Sequence, residues 1–314
     1  MNKKRLVILL VALLAAVGIG LGAFFGIRAL TKDRVTFSVA DTLPDGGGKK
    51  ATVILLGGQS NASGCSIVDY LEQNVSPEQY AEYEAGYDNV YIHSLAGLNR
   101  SEGFVKCSVG HGETTGHFGP ELGLAQALHE AYPTETFFII KCAWGGTNLY
   151  DQWLSPSSDG KTGKLYREFV AFVSASLKYL KSKHYDVEIA GMCWMQGESD
   201  SFSVDNGTEY REHLSNLIGD LRRKFSRYSP KEGFVFVDAT IADNPMYWVY
   251  CDLVNASKVA VEAESDRNLL IDTNAAGLSC SAEPEGGADM AHYDSLSQLK
   301  LGRLFAEALD PYLR

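Results

Sequence analysis

The chain has 314 residues, 45% of them hydrophobic and 21% charged, which is enough apolar content for a full core and excludes global disorder. The formal charge of −11 divides into +5 over residues 1–34 and −16 over the remainder. An acidic body of that size argues against nucleic acid or another anionic polymer as a partner.

The N-terminus begins MNKKR, and Leu6 to Ile27 then runs for 22 residues without a polar side chain. A helix needs about 20 such residues to cross the hydrocarbon of a bilayer, so the run predicts a single-span anchor. The alternative is a secretory signal cleaved near Ala16-Val17-Gly18, although the apolar run continues past that point. Either reading predicts export to the extracytoplasmic face. Residues 1–34 are thus expected to be an anchor or signal segment. Residues 35–50, rich in glycine and ending in a lysine pair, are expected to be a linker, and 51–314 a single domain.

From Ala51 onward, apolar runs alternate with amphipathic ones. Strands are expected over Ala51–Leu56, Val90–Ser94, Thr136–Cys142, Val187–Trp194, Phe234–Ala239 and Leu269–Ile271. Helices are expected over Pro120–Ala131, Leu165–Ser182, Glu209–Phe225, Ala256–Ala263 and Ser295–Leu309. Most strand candidates are continuously apolar, as when helices cover both faces of a sheet. The fold class is therefore α/β, a three-layer α/β/α domain with a mainly parallel sheet. Ligands of such sheets bind beyond the carboxyl ends of the strands.

Four strand exits carry unusual polar sequence: GGQSN from Gly57, AWGGTN from Ala143, MQGESD from Met195 and DMAHYD from Asp289. Taken alone, Ser60 reads first as a helix N-cap and second as a nucleophile. Among seven histidines, His129, His184 and His213 suit helix faces or helix ends, and His93 falls within a strand. His111 and His117 flank Glu113 without a third ligand at metal spacing, so no metal is expected there. His292 differs because Asp289 lies three residues before it, within one turn of backbone. The six cysteines show neither C-x-x-C nor metal spacing; Cys251 and Cys280, in loop-rich sequence, are the candidates for a disulfide.

Taken in order, Gly58-Gln59-Ser60-Asn61, Ala143-Trp144-Gly145-Gly146-Thr147, Trp194-Met195-Gln196-Gly197-Glu198 and Asp289-x-x-His292 resemble the blocks of SGNH hydrolases. Among their branches the blocks look like those of the sialate O-acetylesterase and acetylxylan esterase group, carbohydrate esterase family 6. The resemblance spans about Ala51 to Arg314 and implies a flavodoxin-like α/β/α fold. It also implies a serine esterase that removes O-acetyl groups from carbohydrates through an acetyl-enzyme, with no cofactor.

By that resemblance Ser60 is the nucleophile, His292 the base and Asp289 the acid, with Glu198 the alternative acid. The N–H groups of Ser60 and Gly145 and the amide of Gln196 are the oxyanion donors. Gln59, Asn61, Trp144, Gly146 and Glu198 are candidate substrate contacts, and Trp144 and Tyr150 are candidates to stack on a sugar ring. The first block departs from the usual Gly-Asp-Ser, which points to the carbohydrate branch and away from lipases. Two other readings stay open: an esterase of peptidoglycan or other envelope O-acetyl groups, and a catalytically silent carbohydrate-binding domain.

Overall fold

Continuous apolar runs such as Val53–Leu56 and Phe137–Ile140 have no solvent-facing register, so they become central strands covered on both faces. A computed structural model describes residues 35–280, 283 and 289–313. Its elements, in chain order, begin with β1 (Lys50–Gly58), the single turn α1 (Ser60–Ser63), β2 (Ser66–Ile67), α2 (Val68–Asn74), α3 (Pro77–Ala85) and β3 (Val90–Ala96). They continue with β4 (Asn99–Arg100), β5 (Val105–Lys106), β6 (His117–Phe118), α4 (Glu121–Ala131), β7 (Phe137–Ala143) and α5 (Lys164–Ser182). The last are β8 (Asp186–Met195), α6 (Val204–Lys224), β9 (Val235–Ala239), α7 (Cys251–Glu262), β10 (Asn268–Ile271) and α8 (Ser295–Leu309).

The main sheet runs β10-β9-β8-β1-β7-β3-β4, with β5 also on β3. The pairs among β10, β9, β8, β1, β7 and β3 are parallel, and β4 and β5 add an antiparallel edge. This is the expected mainly parallel α/β sheet. Its order differs in one place from the 2-1-3-4-5 of flavodoxin-like sheets, because the third parallel strand, β7, sits between the first and second.

Helices cover both faces. On β8, a Cβ at Gly191 would meet Leu309 of α8, whereas Met192 lies against Gly57, which also faces Phe169 of α5. Adjacent strand residues point to opposite faces, so α5 and α8 lie on opposite sides of the sheet.

The stretch expected as a linker is part of the domain. Leu43 is buried, Phe37 packs edge-on against Phe172 at 5.1 Å, and the Tyr179 hydroxyl accepts from the N–H groups of Thr42 and Leu43. The compact unit accordingly runs from Phe37 to Arg314. The apolar run Leu6–Ile27 lies outside the described residues, and among the described residues no helix is long and apolar enough to cross a membrane.

All six cysteines are free thiols, which corrects the expected Cys251–Cys280 bridge. Cys251 opens α7 and turns its sulfur toward Asp243 Oδ1 at 3.6 Å.

Candidate active site

Strand register brings the polar exits to one level. Gly58 at the end of β1 pairs with Ala143 of β7 on one side and with Met195 of β8 on the other. Ala96 of β3 pairs with the same Ala143. Ser60, Trp144–Thr147, Gln196–Asp200 and Gly97–Leu98 therefore leave the sheet along one edge. Gly58 makes the turn possible: its φ is +137°, and a Cβ there would lie 2.0 Å from the Met195 carbonyl oxygen.

A cavity of about 740 Å³ opens on this edge. Gln59, Ser60, Trp144, Gly145, Gly146 and His292 all line it. Ser60 begins the single turn α1, and its hydroxyl makes no hydrogen bond to any described residue. The N–H groups of Ser60 and Gly145 also lack partners among the described residues. Asp289 Oδ2 lies 2.6 Å from His292 Nδ1, so Nε2 is the ring nitrogen left for the cavity.

Burial tends to raise the Asp289 carboxyl. The hydrogen bond to His292 and the N–H of Ala291 outweigh it and hold the group below the usual carboxylate range. Buried Glu283 braces this loop: it accepts from Ile67 N and from Ser295 N and Oγ, while its carbonyl receives Asp289 N.

Of the two amides near Ser60, Gln196 is placed away from the cavity and Gln59 on it. Gln196 is fully buried and does not line the cavity. Its Nε2 is spent on Asp200 Oδ2 at 2.6 Å, Thr147 O at 3.0 Å and Gln59 Oε1 at 3.2 Å, so it has no hydrogen left for an oxyanion. Gln59 Oε1 also accepts the N–H groups of Gly197 and Ser199, which fixes the orientation of that amide. Its Nε2 is then the end turned away from the network, in a residue that lines the cavity.

Asn61 is buried and likewise absent from the lining. Its Nδ2 donates to Glu198 Oε1 at 2.8 Å and Ala291 O at 3.2 Å, and its Oδ1 accepts Tyr293 N at 3.0 Å. One side chain thus holds the backbone on both sides of His292, and it belongs to the residue next to Ser60.

Glu198 is buried against Asn61 and does not line the cavity. Burial pushes its carboxyl up, against the Asn61 hydrogen bond, and among the described residues its Oε2 has no hydrogen-bond partner. Tyr150 does not line the cavity; its ring meets His213 edge-on at 5.8 Å.

A family model for carbohydrate esterase, sialic acid-specific acetylesterase, matches residues 50–310. The chain belongs to this esterase family. By class it is a carbohydrate O-acetylesterase. No curated protein matches the esterase in sequence. Its fold is similar to that of a solved protein from Arabidopsis thaliana, with a TM-score of 0.60 at 19% identity over 86% of this chain and 99% of that one. NanS superposes with a TM-score of 0.61 at 16% identity, over 87% of this chain and 99% of its own. A carbohydrate acetylesterase from Xanthomonas citri gives 0.54 at 15%, over 83% and 56%.

Sequence reasoning passed over several groups that build the esterase's site. Asp200 receives the N–H groups of Leu149 and Tyr150 as well as Gln196, and burial raises its pKa to about 6 despite those bonds. Lys258, wholly buried, pairs with Asp238 at 2.7 Å beneath the same loop. A second buried pair, Lys141–Glu121 at 2.6 Å, sits two residues before the end of β7, and Lys141 also donates to His111 O. The signal for Lys141 was in the sequence: a lone lysine inside FFIIKCA must find an acid or leave the sheet. The aromatic wall formed by Phe202, Tyr247 and Trp248 had no motif to announce it.

Proposed function

We propose that the esterase removes O-acetyl groups from carbohydrates through an acetyl-enzyme on Ser60. Support comes first from one observation: His292, held through Nδ1 by Asp289, shares a cavity wall with the Ser60 hydroxyl, which has no partner among the described residues. Ser60 Oγ attacks the acetyl carbonyl carbon while its proton passes to His292 Nε2. The N–H groups of Ser60 and Gly145 face the developing oxyanion, and Gln59 Nε2 takes the side-chain role first expected of Gln196. The tetrahedral intermediate collapses, the sugar oxygen departs with the proton from His292, and the acetyl group stays on Ser60. Water, deprotonated by the same imidazole, then releases acetate and restores the serine.

O-Acetyl sialic acid is the substrate class that the family brings forward, and acetylated xylan is the one that the motif resemblance adds. Export fits such substrates, and the apolar run Leu6–Ile27 would hold the domain at the extracytoplasmic face of a membrane. The test is acetate release by the full chain from acetylated xylan, O-acetyl sialic acid and O-acetylated peptidoglycan. Release from at least one is expected. Hydrolysis of a small aryl acetate with none of the three touched would remove carbohydrate from the proposal.

A further inference from the structure

We infer that Phe202 and Tyr247, propped on Trp248, form the subsite for the sugar ring whose acetyl group passes to Ser60. The inference rests on the esterase reading above and places the leaving group of that reaction.

The cavity is lined from five neighbouring strand exits. In sheet order, β9 leads to Tyr247 and Trp248, β8 to Phe202, β1 to Ser60, β7 to Gly145 and β3 to Leu98. Ser60 therefore stands at the middle exit. The N–H groups proposed for the oxyanion belong to Ser60 and Gly145, so the carbonyl oxygen of a bound acetyl group points toward the β7 side. The sugar oxygen is a different substituent of the same carbon, and the β8–β9 side is open to the ring that it carries.

The wall on that side is held from both of its strands. Tyr250 N–H donates to Ser201 O at 2.8 Å, which joins the segment after β9 to the one after β8. Ser201 is itself tied to the preceding loop, its N–H on Gly197 O and its Oγ on Glu198 O. Where the β9 segment begins, Asn255 of α7 accepts Ile241 N–H and donates to Ile241 O. Trp248 N–H closes a turn onto Asn244 O at 2.7 Å. Trp248 is 6% exposed, and its ring centroid lies 5.3 Å from that of Phe202 and 4.7 Å from that of Tyr247. Phe202 and Tyr247 remain 58% and 44% exposed, and both line the cavity.

Leaving two aromatic rings in water forgoes free energy that covering them would recover. A pyranose supplies the cover. Its C–H groups carry partial positive charge and suit the electron-rich face of a ring, while its hydroxyls stay in solvent.

The test measures kcat/KM of the full chain on an O-acetylated sialic acid and on an acetylated xylo-oligosaccharide. Each value is divided by kcat/KM on ethyl acetate, which carries no ring. In Phe202→Ala and in Tyr247→Ala, the ratio for the carbohydrate that the wild type hydrolyses should fall about tenfold, chiefly through KM. Tyr247→Phe, which keeps the ring, should lower it far less than Tyr247→Ala. Both side chains are exposed, so truncation removes little from the core, and circular dichroism checks the fold. If Phe202→Ala does not fold, Phe202→Leu keeps apolar bulk and takes away the flat ring.

A ratio unchanged in both alanine variants would overturn the subsite and leave the esterase reading standing. A wild type that hydrolyses ethyl acetate and neither carbohydrate would overturn it too, with Ser60 still an esterase nucleophile. A wild type inactive on all three esters would bring down the esterase reading and the subsite together.

Discussion

His292 has one Nδ1–H to give, and Asp289 Oδ2 receives it at 2.6 Å. Asp289→Asn preserves the size of that side chain but lets the amide donate, which favours the wrong imidazole tautomer. The corresponding change in the serine-protease template lowers turnover about 10⁴-fold. Glu198→Gln retains an oxygen for Asn61 Nδ2 and should cost far less, acting through the Asn61 bridge to Ala291 and Tyr293 rather than through the imidazole. Steady-state kcat on a small aryl acetate separates the two. An Asp289→Asn enzyme that keeps most of its turnover beside a nearly dead Glu198→Gln enzyme would transfer the acid role to Glu198. The offset of three residues made Asp289 legible as a partner for His292. The fates of Gln196 and Asn61 were not legible, because a motif gives a residue's place in the chain but not the acceptors that consume its hydrogens.

At the scale of elements, the central strands were read to within two residues because buried parallel strands have no choice of face: Val187–Trp194 was expected and Asp186–Met195 is found. The helices α2 and α3 were missed. For α3 the signal was present, since Ser76-Pro77-Glu78-Gln79 is a capping box whose Ser76 Oγ accepts Gln79 N at 3.1 Å. Residues 37–49 looked like a spacer because glycine dominates their end, whereas Phe37 and Leu43 supply the anchors. Within β7, the Lys141–Glu121 pair lies between the core and the loop carrying Trp144 and Gly145. Lys141→Ala strands a buried carboxylate, a change that costs roughly 3–5 kcal/mol. Replacing both partners with apolar residues, Lys141→Met with Glu121→Leu, removes the charge as well as its partner and should cost much less. Urea unfolding midpoints measure both. A single variant no less stable than the double would mean that the pair is not buried as described.

For the whole molecule, acid sensitivity follows from a histidine outside the site. His93 on β3 is buried against Phe172, and the Ser176 hydroxyl, whose own proton goes to Phe172 O, accepts from its Nδ1. Burial lowers its pKa from 6.5 to about 4. The folded protein thus binds this proton less readily than the unfolded chain, and stability present above pH 6.5 is lost as pH falls toward 4. Other buried groups, such as Asp200 with its raised pKa, titrate in the opposite sense, so the comparison has to isolate His93. Between those pH values the wild type should lose on the order of 3 kcal/mol more stability than His93→Phe. Parallel pH profiles for the two proteins would show that His93 is not the depressed group.

The account of the molecule as a serine esterase converges on one hydroxyl at the end of β1. Its most direct measurement is turnover of a small aryl acetate by the full chain carrying Ser60→Ala, with circular dichroism confirming the fold. The expected result is a native spectrum with kcat lowered by on the order of 10⁴–10⁶. A native spectrum with turnover near the wild-type value would contradict the account, since no acetyl-enzyme could then form on Ser60.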